Sequence, residues 1–416
     1  MPWIRTLRAR LVSVYLGERF LGLRRWLSRV VGIRPRHVTF FHQLDDPHSH
    51  LLLQVLRPLQ GVVGLRVRIV PPPDPAFTPD PERLSGWSWS DARLLADRYR
   101  LTLPASTPPS PELLSQAQRL AVAAGDDLDA LVSISNALLA GDAAALSGQA
   151  PDATAHLRDS HTMRARKGHY LSGMLHFGGE WYWGIDRLSL LVERLAVEGV
   201  SVSGVLPQAH PLPPATVPPD TPLEFFFSFR SPYSYLAIQR VLDLARRTGV
   251  RLIIRPVLPM VMRGLTVPGV KVRTIARDAA RLARQQGQSF GLICDPIGPG
   301  IRSCLALFAY AQSEGEEAAL LTSAGRGIWA EGLDITVEDD LATIVTRAGL
   351  DWSQARTWLT RPEGEALAER NRLALLAAGL WGVPSFQYGP VAIWGQDRLD
   401  VLEQRIGEQD YPPTAS

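Results

Sequence analysis

Two periods of hydrophobic and polar residues run along this chain, and the changes of period mark its elements. Val38-Thr39-Phe40-Phe41-His42 reads as a short strand, followed by a helix through about residue 59. Residues 65–70 read as a second strand, with Val67 and Ile69 alternating with Arg66 and Arg68. Pro71-Pro72-Pro73 ends it, because proline has no N–H for a strand ladder. Helical spacing predicts a helix over 91–99 and two helices within 111–146, broken at Gly125-Asp126-Asp127. Residues 168–182 read as a hairpin and 186–197 as a closing helix. The pattern then lapses over 201–222, where Pro207, Pro211, Pro213, Pro214, Pro218, Pro219 and Pro222 make a semi-rigid connector. Beyond it come a strand at 223–228, a helix over 232–247, a strand at 250–256 and a helix near 273–286. Helical stretches follow at 301–329 (broken at Gly315), 341–348, 352–359 and 363–378. A hairpin at 383–388 and 391–394 and a helix over 397–406 complete the chain.

The second half thus runs β-α-β, a helical block, then β-β-α. A hairpin beside a βαβ unit makes a mixed sheet with helices on both faces, so the class is α/β. The first half repeats this order, and short blocks match between the halves. Trp183-Gly184-Ile185-Asp186-Arg187-Leu188 corresponds to Trp394-Gly395-Gln396-Asp397-Arg398-Leu399. Asp46-Pro47-His48-Ser49-His50-Leu51 corresponds to Ser231-Pro232-Tyr233-Ser234-Tyr235-Leu236. Asp91-Ala92 with Leu95-Ala96 corresponds to Asp278-Ala279 with Leu282-Ala283. Three blocks in one order predict a tandem duplication. The expected domains are a basic helix at 1–32, a degenerate domain at 33–200, the linker at 201–222, and a second domain at 223–410.

Composition narrows the function classes. Of 416 residues, 46% are hydrophobic and 20% charged, ordinary for a soluble globular chain. The net charge of +3 gives no ground for a nucleic-acid partner. Cys294 and Cys304 are the only cysteines; they suit neither a disulfide framework nor a zinc site, and a reducing, cytoplasmic compartment is the expectation. No run is long and apolar enough to span a bilayer. Residues 1–32 carry Arg5, Arg8, Arg10, Arg19, Arg24, Arg25 and Arg29 against Glu18, with Trp3, Leu7, Leu11, Val14, Leu21 and Trp26 between them. Such a helix either lies on a membrane surface or packs on the body with a solvated arginine face. It lacks the apolar core and cleavage site of a signal peptide.

The chemistry concentrates where the strand Phe225-Phe226-Phe227-Ser228 meets the helix opened by Ser231-Pro232. A helix N-terminus offers backbone N–H groups to an anion. Ser231 is therefore either a site residue or only the N-cap, where serine is common. The matching positions of the first half favour the site role. Asp46 stands for Ser231, Gly173 for Pro384 and Leu84 for Lys271, so the polar set is kept only in the second half. Asp46, His48 and His50 have a spacing that suits a metal, but carboxylate and imidazole beside a helix start are more often a cap and a solvated face, and no metal is expected.

Residues 223–408 resemble the 2-hydroxychromene-2-carboxylate isomerases and kappa-class glutathione transferases, a DsbA-like branch of the thioredoxin superfamily. The motifs that carry the resemblance are Phe-Ser-Phe-Arg-Ser-Pro-Tyr-Ser-Tyr-Leu-Ala, ending at Ala237, and Arg255-Pro256-Val257-Leu258. Lys271 and Asp278, Trp381-Gly382-Val383-Pro384-Ser385-Phe386, and the Trp394 to Leu399 block complete them. The element order is the thioredoxin arrangement with helices inserted in its middle, and with the repeat it gives two thioredoxin-like (DsbA-like) domains; the resemblance implies glutathione as cofactor. It implies that Ser231 donates a hydrogen bond to the glutathione thiolate, which adds to an electron-poor double bond of a small aromatic or α,β-unsaturated acid. It further implies that Val383, before a cis Pro384, pairs with the tripeptide backbone, that Lys271 meets a carboxylate, and that Gln396 and Asp397 hold the γ-glutamyl end. Kappa-type proteins are commonly homodimers, so an intrachain pseudo-dimer is expected here. The alternatives are a disulfide oxidoreductase, which the absence of a thiol at Ser231 and Ser234 opposes, and a non-catalytic binding or scaffold protein.

Overall fold

A computed structural model describes residues 2–30, 35–78, 80–104, 107–202, 204 and 206–407, without the side chains of residues 2–8, 24, 28 and 29. Expectations for residues 31–32 and 408–410, and for the side chains of Trp3, Arg5, Leu7, Arg8, Arg24 and Arg29, lie outside the described residues. The chain forms two compact units. One is Arg25–Pro211; the other joins the first 24 residues to the segment from Leu212 onward.

The chain opens with α1 (Pro2–Leu16) and α2 (Glu18–Val30), separated at Gly17. Then come β1 (His37–His42), α3 (Pro47–Gln54), α4 (Arg57–Gln60), β2 (Gly64–Ile69) and α5 (Pro81–Tyr99). The first unit is completed by α6 (Pro111–Ala124), α7 (Leu128–Ala140), α8 (Thr154–Arg166), β3 (Met174–Phe177), β4 (Glu180–Trp183) and α9 (Leu188–Val197). Its sheet has the order β2-β1-β3-β4, with β1 and β2 parallel and the other neighbours antiparallel. Phe40, Leu175 and Tyr182 lie across one face in register, all buried.

The other unit contains β5 (Leu223–Phe227), α10 (Pro232–Thr248), β6 (Leu252–Pro256), α11 (Gly269–Gln285), α12 (Pro299–Glu314) and α13 (Glu317–Arg326). They are followed by α14 (Glu338–Arg347), α15 (Trp352–Ala355), α16 (Glu363–Ala377), β7 (Ser385–Tyr388), β8 (Val391–Trp394) and α17 (Leu399–Ile406). The sheet order β6-β5-β7-β8 repeats the pattern of the first unit, again with one parallel and two antiparallel pairs. β5 is central and its Phe225, Phe226 and Phe227 are buried; Phe225 stacks on Phe386 at 5.2 Å. A strand covered on both faces reads as an unbroken apolar run, as here. The later part of the Pro-rich linker lies along α17: Leu212 N–H bonds Gln404 Oε1 at 3.1 Å, and Ala215 N–H bonds the Arg405 carbonyl at 2.7 Å.

Several elements differ from their expected form. The helix expected to continue to residue 59 breaks after Gln54 and resumes for one turn at Arg57. The helix expected at 91–99 begins ten residues earlier, where Asp80 caps it by accepting from Arg83 N–H at 3.3 Å and Pro81 opens it. α8 has no counterpart in the expected order; its sequence is mostly polar and shows no apolar stripe. Both closing helices start with a one-turn 3₁₀ segment, Ile185–Arg187 and Gln396–Arg398. The basic N-terminal segment is two helices, not one. α1 packs on α11 within its unit: Ala9 and Leu16 are buried, Arg277 lies over the Tyr15 ring at 4.7 Å, and Arg284 bonds the Leu16 carbonyl at 3.0 Å. Leu11, Val14, Leu23, Trp26, Leu27 and Val30 remain exposed. No helix among the described residues is long and apolar enough to cross a membrane.

The first unit holds two neutral histidines in its core. His42 is fully buried, with Nδ1 2.8 Å from Ser49 Oγ, and burial lowers its pKa to about 3. His50 meets Ser135 Oγ at 3.1 Å and the Thr102 carbonyl at 2.9 Å, and burial lowers its pKa to about 4. As pH falls below the ordinary value of 6.5, the unfolded chain takes up protons that these folded-state imidazoles refuse. Each histidine therefore costs the fold about 2 kcal/mol at pH 5. Burial raises the pKa of Asp45 and Asp46, which acts in the opposite sense, since the folded state takes up those protons first. A His42→Gln variant is expected to lose about 2 kcal/mol less stability than the parent between pH 7 and pH 5. Urea titrations at the two pH values check this; equal losses in both chains contradict it.

Candidate active site

The end of β5 turns over Ser228-Phe229-Arg230 into α10. Ser231 has φ −100° and ψ 114°, and its Oγ accepts from Ser234 N–H at 3.1 Å. It is thus the N-cap of α10. The cap uses a lone pair of the hydroxyl, so its proton can go to another acceptor. That proton points to the Val383 carbonyl at a long 3.4 Å. Ser231 is half-buried. Cap and donor are therefore compatible roles for one hydroxyl.

Val383 and Pro384 are joined by a cis peptide bond just before β7. The Gly395 N–H bonds the Pro384 carbonyl at 2.9 Å, which ties this turn to the far end of the hairpin. Gly382 is required here, because a Cβ would lie 2.4 Å from the Trp394 ring. Among the described residues, the half-buried Val383 N–H donates to no backbone carbonyl. Ser231 and the backbone of Val383 are thus brought together at one place.

α10 and α11 are joined by Tyr233, whose hydroxyl donates to Asp278 Oδ2 at 2.8 Å. Arg281 lies 3.4 Å from the same carboxylate. Lys271 sits two turns before Asp278, on the same side of α11. It is half-buried, and desolvation lowers its pKa. Thr274, one turn on, bonds back to the Val270 carbonyl at 2.8 Å.

Gln396 has a different place from an open binding side chain. It is buried, and its Oε1 accepts from Arg240 at 2.6 Å and Gln286 at 3.1 Å while its Nε2 donates to Asp397. Arg240 also bonds the Gln396 carbonyl at 2.9 Å. Gln396 therefore holds Asp397, which is half-exposed and stands one position before the Arg398 cap of α17. Sequence reasoning missed Arg240 and Tyr233. The sequence signal for Tyr233 is that it and Asp278 align with His48 and Asp91, a pair that in the structure lies 3.5 Å apart. The two cysteines are buried and form no disulfide, and burial pushes the Cys304 thiol up.

The matching place in the first unit has the same backbone and other chemistry. Asp46 caps α3 with φ −99° and ψ 114°, and accepts from His48 N–H at 3.1 Å. The Gly184 N–H bonds the Gly173 carbonyl at 2.9 Å, as Gly395 does to Pro384. Ser172 Oγ lies 3.4 Å from Asp46 Oδ2 and also donates to Gln43, closing the polar groups on one another. A carboxylate at this point would repel a thiolate. His50 is occupied with Ser135 and Thr102, and no group of three metal-ligating side chains occurs among the described residues.

Comparison with known proteins bears on the second unit. Residues 222–407 match the family described as DSBA-like thioredoxin domain. A 2-hydroxychromene-2-carboxylate isomerase of Sphingobium xenophagum is 30% identical over 196 residues, covering 44% of this chain and 97% of that protein. One of Pseudomonas putida is 26% identical over 190 residues, covering 44% of this chain and 94% of that protein. A solved structure of 2-hydroxychromene-2-carboxylate isomerase aligns at 27% identity with a TM-score of 0.39, over 44% of this chain and 94% of that one.

Proposed function

We propose that this chain, which belongs through its second half to the 2-hydroxychromene-2-carboxylate isomerase family, is a glutathione-dependent isomerase of a small aromatic or α,β-unsaturated acid. The observation that carries the reading is the double engagement of Ser231: a lone pair caps α10 while the hydroxyl proton makes only a long contact with Val383. The residues present fit a bound tripeptide thiol. The unengaged Val383 N–H suits an extended peptide backbone. Ser231 at the N-terminus of a 17-residue helix suits a sulfur anion. Bound glutathione would supply a thiolate nucleophile for reversible addition to the substrate double bond.

The chain's own groups then have separate tasks. Ser231 re-aims its proton from the Val383 carbonyl toward the sulfur and holds it ionised. Val383 fixes the peptide backbone, and Pro384 sets the turn from which it is presented. Asp397, positioned by Gln396 and Arg240, takes a ligand ammonium. Lys271 takes a carboxylate; its half-burial strengthens that attraction relative to open water. The correspondence between the two units in sheet order, cap geometry and the Gly184 and Gly395 bonds supports their origin by duplication, with the site retained in the second. A transferase differs only in releasing the adduct as product.

The test is chromatographic conversion of 2-hydroxychromene-2-carboxylate with and without reduced glutathione. Isomerisation that requires glutathione is expected. A Lys271→Gln variant is expected to raise KM for glutathione about tenfold with kcat little changed, the mark of lost uniform binding. Conversion independent of glutathione would remove the cofactor assignment. Consumption of glutathione in step with substrate would identify a transferase. Glutathione binding with no turnover would leave a binding protein.

A further inference from the structure

The sheet of the first unit differs from that of the second at one register position, and a cavity opens there. In the second unit Phe226 pairs with Arg255 across β5 and β6, and Glu224 lies two residues earlier on the same face. Arg255 binds Glu224 through Nε at 2.9 Å and reaches Asn371 of α16 at 3.3 Å. Asn371 in turn bonds the Pro256 carbonyl at 2.9 Å, so this face is closed by an ion pair and an amide. In the first unit Phe41 pairs with Arg68 across β1 and β2, and the residue two positions earlier is Thr39. The arginine is kept and its carboxylate is gone. Among the described residues, Arg68 has no carboxylate within ion-pair distance.

A cavity of about 680 Å³ lies over this position, lined by Thr39, Arg68, His156 and Lys167 among others. Its volume falls within the range of small-molecule sites. Lys167, like Arg68, has no ion-pair partner among the described residues. His156 Nε2 is buried and unbonded. Arg66 and Asp126, both also at the wall, neutralise each other at 2.8 Å. Val122 and Met163 supply an apolar wall beside these groups. Cations in such a setting attract an anion, and the apolar wall adds affinity for a carbon body.

We propose that this cavity binds a small aromatic carboxylate, whose carboxyl group takes the place on Arg68 that Glu224 occupies on Arg255. Lys167 lends a second charge, His156 Nε2 makes a hydrogen bond, and the ring lies against Val122 and Met163. This site belongs to the first unit and does not depend on the assignment of Ser231.

Isothermal titration calorimetry on the full chain tests it, with 1-naphthoate as probe, 1-naphthylmethanol as its neutral analogue and inorganic phosphate as a bare anion. Naphthoate is expected to bind, and the alcohol to bind at least tenfold more weakly, as expected for loss of a charged hydrogen bond by about 1.5–3 kcal/mol. Arg68→Ala should weaken naphthoate about tenfold or more. Thr39→Glu supplies an internal carboxylate to Arg68 and should abolish naphthoate binding in a chain that still melts cooperatively. Glutathione titrations of both variants should match the parent, which separates this site from that at Ser231. Equal naphthoate affinity in the parent and Arg68→Ala would overturn the proposal, as would a parent that binds no anion. Arg68-dependent binding of phosphate without naphthoate would overturn the aromatic class. If Thr39→Glu fails to fold, Arg68→Ala alone decides.

Discussion

Replacing Ser231 by Asp is expected to leave the chain folded and to abolish turnover. Aspartate is as good an N-cap as serine. Asp46 shows the geometry in this same chain, capping α3 at backbone angles within a degree of those of Ser231. The stability of α10 should therefore survive. The carboxylate would, however, occupy the place proposed for the sulfur anion, where like charges repel. Ser231→Ala removes both roles at once. It should cost about 1 kcal/mol for the cap and lower kcat about 10²–10³-fold for the lost donor, with glutathione affinity little changed. Thermal melting and steady-state rates on both variants separate the roles. A Ser231→Asp chain that retains turnover would reduce Ser231 to a cap.

The second large effect concerns the scaffold. Gly364, at the start of α16, faces the backbone of α12. A Cβ there would lie 2.5 Å from the Ala306 nitrogen and the Leu305 carbonyl carbon, and 2.6 Å from the Leu305 oxygen. No rotamer change relieves a clash with main chain, so the two helices must separate. Gly364→Ala is expected to destabilise the unit by about 3 kcal/mol, the upper part of the usual overpacking range. For a domain of this size that lowers Tm by about 6–12 °C. Gly86 provides the contrast. It lies in the exposed interior of α5 with nothing within 4 Å of its Cβ position. Gly86→Ala should stabilise by about 0.5–1 kcal/mol, through helix propensity alone. Calorimetry of the two variants should show shifts of opposite sign; a Gly364→Ala chain melting with the parent would contradict the close α12–α16 crossing.

The architecture of both sheets was legible because a covered strand and its turn leave local marks. Phe225-Phe226-Phe227 is an unbroken apolar run, and Ser231-Pro232 marks the helix start. α8 left no such mark. Its residues are polar, and it is held by contacts far away in sequence, such as Arg164 with the Pro71 carbonyl at 3.4 Å. The site was legible in part. Comparing Ser231 with Asp46 singles out one turn, and the structure adds that Ser231 Oγ accepts from Ser234 N–H while its proton faces the Val383 carbonyl. Gln396 reads as an available amide in the sequence, but Arg240, 156 residues earlier, draws it inside. A local pattern cannot report a partner at that distance. The loss of a carboxylate opposite Arg68 was hidden for the same reason, since it depends on strand register.

The proposed activity turns on stabilisation of a glutathione thiolate by Ser231. The ultraviolet absorbance of the thiolate, followed against pH with glutathione bound to the parent and to Ser231→Ala, tests it most directly. In the parent the thiol should titrate at least one unit below its free value of about 8.5, and in Ser231→Ala it should return most of the way toward that value. Bound glutathione that titrates at the free value in the parent, or identically in both chains, would contradict it.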